Sequence, residues 1–216
     1  MAWIAAAVWA PLVDFLRRPA AVPILLFILL YKLGDALAGT LATPFYLELG
    51  FSKPEIASVS KLFGLIAILV GGLIGGALVG KLGLGRSLLI CGVLQMLSNL
   101  MFALLAVAGH DLRYLVATIA IENVTSGMGQ AAFVAYLSSL CRVAYTATQY
   151  ALLSSLMSVG RTTLSAAAGF LVASLGWIAF FVFTTVAALP GLLLLLFLMR
   201  RFPPDAPEGV RLPLAS

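Results

Sequence analysis

Charge is what this sequence has least of. Of its 216 residues, 13 are Lys or Arg and 8 are Asp or Glu, 10% in all, against 62% hydrophobic. Soluble domains carry about 25% charged residues, so a soluble globular fold is excluded and the mean hydropathy of +1.12 points to a polytopic membrane protein. Histidine is almost missing. His110 falls in a loop and no Gly-x-Ser-x-Gly surrounds any serine, which leaves Ser–His hydrolysis without its base. With no phosphate-binding glycine loop and no Cys/His cluster, no enzyme activity, cofactor or metal is expected. The two cysteines, Cys91 inside the third apolar run and Cys141 at the end of the fourth, sit in settings too different for a structural disulfide and read as free thiols. No run alternates with period two, which excludes a β-barrel.

What the sequence has instead is long apolar runs. A bilayer core of ~30 Å needs about 20 apolar residues per helix, and six stretches supply them: 22–46, 56–80, 87–108, 113–140, 149–174 and 177–199. The chain divides into an amphipathic interfacial segment (1–21), a six-span transmembrane domain (22–199) and a cytoplasmic tail (200–216). Trp3, Trp9, Leu12, Phe15 and Leu16 suit the first segment to a membrane surface, and Pro19 and Pro23 separate it from the first span. Basic residues outside the spans collect on one side: Arg17, Arg18, Lys81, Arg86, Arg142, Arg200, Arg201 and Arg211, against Lys53 and Arg113 on the other. The positive-inside rule then makes both termini cytoplasmic. The net charge of +5 is a topology signal, and no nucleic-acid partner is expected.

Five ionisable Asp, Glu, Lys or Arg side chains fall inside the spans: Lys32 and Asp35 in the first, Lys61 in the second, Glu122 in the fourth and Arg161 in the fifth. Each costs about 2.5–3.5 kcal/mol near the bilayer centre, on the order of 15 kcal/mol together, unless pairing or a watery cavity compensates. They form a pattern. In two successive triplets of spans, the first member carries an acid (Asp35, Glu122), the second a base (Lys61, Arg161) and the third no charge. Three spans invert topology, so the second triplet is an inverted copy of the first, as in each half of a major facilitator transporter. The fold class expected is an all-α membrane protein whose six transmembrane helices form a 3+3 inverted repeat, with the charge-free third and sixth spans facing lipid. At ~1.5 Å per residue, Asp35 and Arg161 lie near mid-membrane with Glu122 slightly outward. Lys32 and Asp35, three residues apart, share one helix face.

Several segments carry a family resemblance: "YKLGDALAGTLATPF" (31–45), "GLIAILVGGLIGG" (64–76), "GVLQMLSN" (92–99), "ENVTSGMGQAAFVA" (122–135), "ATQYALLSSL" (147–156) and "ALPGLLLL" (188–195). Together they resemble the C-terminal six-helix half of the bacterial anhydromuropeptide permeases, and parts of the pattern are similar to the acetyl-coenzyme A transporter group. The likeness runs from about residue 8 to Arg200. It implies a bacterial inner-membrane protein that imports anhydro-muropeptides with protons for peptidoglycan recycling. Full-length members have twelve or more spans, so Met1 reads as an internal start or a truncation, and transport would need an N-terminal six-helix half or a second copy of this chain. The fifth span reads "GRTTLSAAAG" where the family commonly has Gly-Pro after "GR", and the loop "GKLGLGRS" lacks the usual Asp.

On this reading Asp35 and Glu122, with Lys32, are proton-coupling or ion-pair groups. Arg161 and Lys61 either contact peptide carboxylates of the substrate or only neutralise the acids. Asn123, Gln149 and Tyr150 are the uncharged candidates for substrate hydrogen bonds, while Asn99 is read as interhelical glue. Gly71, Gly72, Gly75, Gly76 and Gly80 make small-xxx-small spacings suited to helix packing. Two rival readings are a transporter of another solute on the same fold and a non-transporting membrane remnant.

Overall fold

The computed structural model describes residues 9–18, 20–141 and 145–202; Trp3, Arg142, Arg211 and nearly all of the expected tail lie outside them. Among the described residues the chain is helical and contains no strand. A short helix α1 (Ala10–Leu16) leads to a first span in two pieces, α2 (Ala21–Leu30) and α3 (Leu33–Glu48). The second span joins α4 (Lys53–Val59), a π-helical turn (Ser60–Gly64) and α5 (Leu65–Leu82). Single helices α6 (Leu84–Ala108) and α7 (Leu112–Leu140) follow, then α8 (Thr146–Ser165) with α9 (Ala168–Leu175), and α10 (Trp177–Ala187) with α11 (Leu189–Arg201).

Five of these stretches, Ala21–Glu48, Lys53–Leu82, Leu84–Ala108, Thr146–Leu175 and Trp177–Arg201, are long and apolar enough to cross a membrane. The fourth run read from the sequence, now α7, has the length, with 29 residues, but Glu122, Asn123, Thr125, Ser126 and Gln130 dilute its apolar character.

Local chemistry explains where the helices begin and turn. Ser52 and Glu55 form a reciprocal cap on α4: Ser52 N–H donates to Glu55 Oε2 at 2.8 Å while Glu55 N–H donates to Ser52 Oγ at 3.4 Å. Asp111 caps α7 by accepting from the Arg113 N–H at 2.8 Å. Gly83 and Gly176 each join two helices through one residue, at φ 79° ψ 169° and φ 75° ψ 166°, in the left-handed half of φ/ψ space that a side chain disfavours.

Helix α7 is flanked by α5 and α6 and touches α8. The first span packs against α8 on one side and α10–α11 on the other, and α6 packs against α10–α11. Two apolar cores result. One gathers Phe27, Tyr31, Phe133, Tyr136 and Leu195, with Tyr31 stacked on Phe133 at 5.1 Å between ring centroids. The other gathers Phe45, Phe102, Phe180 and Phe181, with Phe102 stacked on Phe181 at 4.9 Å. Of the spans, α4–α5 and α8–α9 bury least of their surface and α6 as much as the first span. On α6, Ser87, Cys91, Gln95 and Asn99 follow one buried stripe against the rest of the bundle, while Ile90, Leu94, Leu97, Leu100, Leu104 and Val107 leave an apolar face exposed.

Candidate functional site

A polar layer separates the two cores. On each helix that feeds both, polar residues fall between the positions given to one core and those given to the other, although Ser87 and Thr118 are buried within the cores' own stretches. In the first span Tyr31 belongs to one core and Leu37 to the next, with Lys32 and Asp35 between. On α6 the gap from Cys91 to Phe102 holds Gln95, Ser98 and Asn99. On α7 the gap from Ile119 to Met128 holds Glu122, Asn123 and Thr125, and between Leu153 and Ala168 of α8–α9 stand Arg161 and Ser165.

At the centre of this layer the first span is interrupted. Tyr31 and Lys32 form a turn, with Lys32 at φ −101° ψ 9°, and α3 restarts at Leu33. Tyr31 is pinned there: its hydroxyl donates to the Leu88 carbonyl of α6 at 2.8 Å. Lys32 is 9% exposed, and its Nζ stands 3.7 Å from Asp35 Oδ2. Glu122 of α7 is half-buried and lies in the electrostatic field of Asp35, Lys32 and Arg161. Glu122 thus lies within reach of three of the other four in-span charges, two of which, Lys32 and Asp35, pair with each other.

The remaining sequence-derived residues are more dispersed. Lys61 is exposed on the π-helical turn, a feature that recurs at functional sites. Arg161 is exposed, because its neighbour Gly160 takes the buried face of α8 against Leu29. Asn123 donates its amide to the Ile119 carbonyl at 2.8 Å, beside Gly64 of the π turn. Tyr150 is half-buried beside the core that holds Tyr31. Gln149 is buried at 1% exposure and engaged elsewhere: its Nε2 donates to Asp14 Oδ2 at 3.1 Å and to the Pro11 carbonyl at 3.2 Å, both on α1. Arg18 completes this tie by donating to the Leu140 carbonyl at the end of α7 at 2.6 Å.

The glycines divide. A Cβ on Gly71 or Gly75 would strike the backbone of Val124 or Met128 on α7, and a Cβ on Gly127 would strike the backbone of Ile68 and Gly72, whereas a Cβ on Gly72 itself would point into open space. Gly76 and Gly80 have nothing within 4 Å of a built Cβ. The sequence reading missed Gln95, a lone glutamine in an apolar run and the available signal; it also treated Asn99 as glue, whereas both atoms of that buried amide are without a partner. Both cysteines are free, and no cluster of His, Cys, Asp and Glu suited to a metal occurs among the described residues.

Comparison with known proteins agrees with this geometry. Residues 24–216 match the Major Facilitator Superfamily. The chain is 48% identical over 191 residues to the anhydromuropeptide permease of Escherichia coli K12, covering 88% of this chain and 39% of that protein. It is 45% identical over 201 residues to a protein of Rickettsia felis named as a transporter, AmpG 4, covering 93% of this chain and 48% of the relative. A Rickettsia prowazekii protein named AmpG 1 is 42% identical over 173 residues, 80% of this chain and 39% of the relative. The chain spans about half or less of the length of these relatives. A helical bundle of apolar spans, a charged layer across its middle and a match over nearly its whole length lead to one assignment: the chain belongs to the Major Facilitator Superfamily.

Proposed function

We propose that this chain forms the C-terminal six-span half of a proton-driven importer of anhydro-muropeptides in a bacterial inner membrane, with both termini cytoplasmic. The observation that carries the reading is the polar layer, in which Lys32 pairs with Asp35 at the level where the first span breaks and Glu122 lies in the field of both and of Arg161. Transporter sites are typically built from such interrupted helices near mid-membrane. The name of the E. coli relative, an anhydromuropeptide permease, supplies the substrate class.

The 3+3 inverted repeat also draws support from the packing. Exchanging the first span with α7, the second with α8–α9, and α6 with α10–α11 turns most observed helix pairings into others, the packing of the first span on α6 being the exception. The matching one-residue glycine joints at Gly83 and Gly176 fall at equivalent places in the two triplets. In this scheme Asp35 and Glu122 carry the proton or hold the ion pairs, with Lys32 as the internal counter-charge. Arg161 and Lys61, exposed on the least buried spans, meet the carboxylates of the substrate, and Asn123 and Tyr150 supply hydrogen bonds, whereas Gln149, expected from the sequence to join them, is held by α1. That exposure supports a partner half, either an N-terminal six-span unit or a second copy, completing the cavity. The domain division proposed is an interfacial segment to residue 21, the spans to 199 and a cytoplasmic tail.

The test is uptake of labelled anhydro-muropeptide by permease-deficient cells expressing this chain alone or with the N-terminal half of a related permease. Uptake requiring the added half, and lost in stably inserted Asp35→Asn and Arg161→Ala, is the expected result. Absence of uptake despite association of the halves would shift the reading to another solute or to a non-transporting remnant.

A further inference from the structure

Helix α6 carries two buried amides that its neighbours leave unused. Gln95 and Asn99 are one turn apart and 4% and 1% exposed; Gln95 Nε2 and both amide atoms of Asn99 have no hydrogen-bond partner. Native interiors rarely leave such groups unsatisfied without a functional reason. Both amides face the break in the first span. Gly34, in the first turn of α3, lies so near that a Cβ on it would come within 3.2 Å of Asn99 Nδ2. On α7, a Cβ on Gly129 would stand 2.6 Å from Gln95 Oε1 and 3.5 Å from Lys32 Nζ. The place that a side chain on Gly129 would fill therefore adjoins both the lysine ammonium and the glutamine carbonyl.

The Lys32–Asp35 contact at 3.7 Å is longer than a hydrogen bond, so charge rather than a directed bond holds the ammonium. Whatever neutralises Asp35 strands a buried ammonium unless another acceptor is in reach. The other groups facing this region are Glu122 on α7, Cys91 on α6 and Tyr31 at the break, with Arg161 on α8 facing Glu122. Gln95 Oε1 borders the same notch, and the four-carbon stem of lysine can re-aim its head by rotamer change alone.

We propose that Gln95, admitted by the side-chain-free Gly129, is a positioning residue that gives the Lys32 ammonium a second seat when Asp35 is neutral, so that the lysine alternates between Asp35 and Gln95. The proposed proton coupling matters here only for what neutralises Asp35; the seat itself is testable without transport.

The experiment is a double-mutant cycle on the full chain, read as the unfolding equilibrium in detergent. Asp35→Asn mimics the neutral acid and Gln95→Leu removes the seat. The combined variant is expected to unfold about tenfold more readily than the product of the single effects, because the two residues couple through one ammonium. Adding Lys32→Met should then restore stability, including where the combined variant fails to fold. Independent effects within about twofold, or a deficit that Lys32→Met leaves in place, would overturn the seat. A coupled cycle with no muropeptide uptake refutes the substrate reading alone, and an additive cycle with intact uptake refutes the seat alone.

Discussion

Gly71 and Gly75 show how much one absent side chain decides in this bundle. Each lets α5 lie on the backbone of α7, while Gly76, one residue along from Gly75, faces open space. Gly71→Val or Gly75→Val is expected to cost about 1–3 kcal/mol through overpacking. Gly76→Ala and Gly80→Ala should stay within about 0.5 kcal/mol. Thermal unfolding of the purified variants separates the two classes; equal losses at all four positions would mean the approach of α5 to α7 does not set stability. The sequence could show five glycines at packing intervals but not which of them faced a neighbour, because Gly71 and Gly72 sit only about 100° apart on the helix and the partner surface lies some fifty residues away. The charges were more legible. Lys32 and Asp35 stand out against an apolar run, and three-residue spacing alone brings them to one face. Gln95 was not legible, since a single glutamine in a span reads as interhelical glue until its unpartnered amide is seen beside Gly129.

At the scale of elements, five of the six apolar runs read from hydropathy return as helices long and apolar enough to cross a membrane, but the interruptions could not be read. The first span breaks at Tyr31–Lys32, where neither proline nor glycine stands, whereas Pro44 lies inside α3 without ending it. The break follows from tertiary contacts, the Tyr31 hydroxyl on α6 and the close approach of Gly34 to the Thr184 carbonyl, and no local propensity announces it. The helix α1 is a second case. Its amphipathic pattern predicts a membrane-surface position, yet Arg18 and Gln149 also fasten it to the ends of α7 and α8. Replacing Arg18 with Ala removes a charge-assisted bond worth about 1.5–3 kcal/mol and should speed hydrogen exchange of the α1 amides, as should Gln149→Leu. Arg17→Ala, at an exposed position, serves as the control and should leave exchange unchanged. Unaltered exchange in the first two variants would show that apolar packing through Phe15 alone holds the helix.

At the scale of the molecule, a chain of this length covers 39% of the E. coli relative and exposes its second and fifth spans more than the others. Along α5 the large apolar residues Leu65, Leu69 and Leu73 are exposed, and along α8 Val159 stands beside Arg161. Lipid covers such a face easily, but a charged guanidinium in it favours a protein or aqueous neighbour. A tagged form of this chain is expected to co-purify with the N-terminal half of a related permease and to gain thermal stability from it. A chain that ignores that half and remains monodisperse alone would contradict the shared-cavity reading.

The two aromatic cores give the polar layer between them a mechanical meaning. Stacked rings resist shear, so each core is stiffer than the layer between them. Two helices, α6 and α7, cross that layer unbroken, while the first span crosses it as two pieces whose joint holds the Lys32–Asp35 pair, three residues apart. The first span is therefore the softest of these crossings, and a change in the pairing of its two charges is felt along a hinge rather than at one side chain.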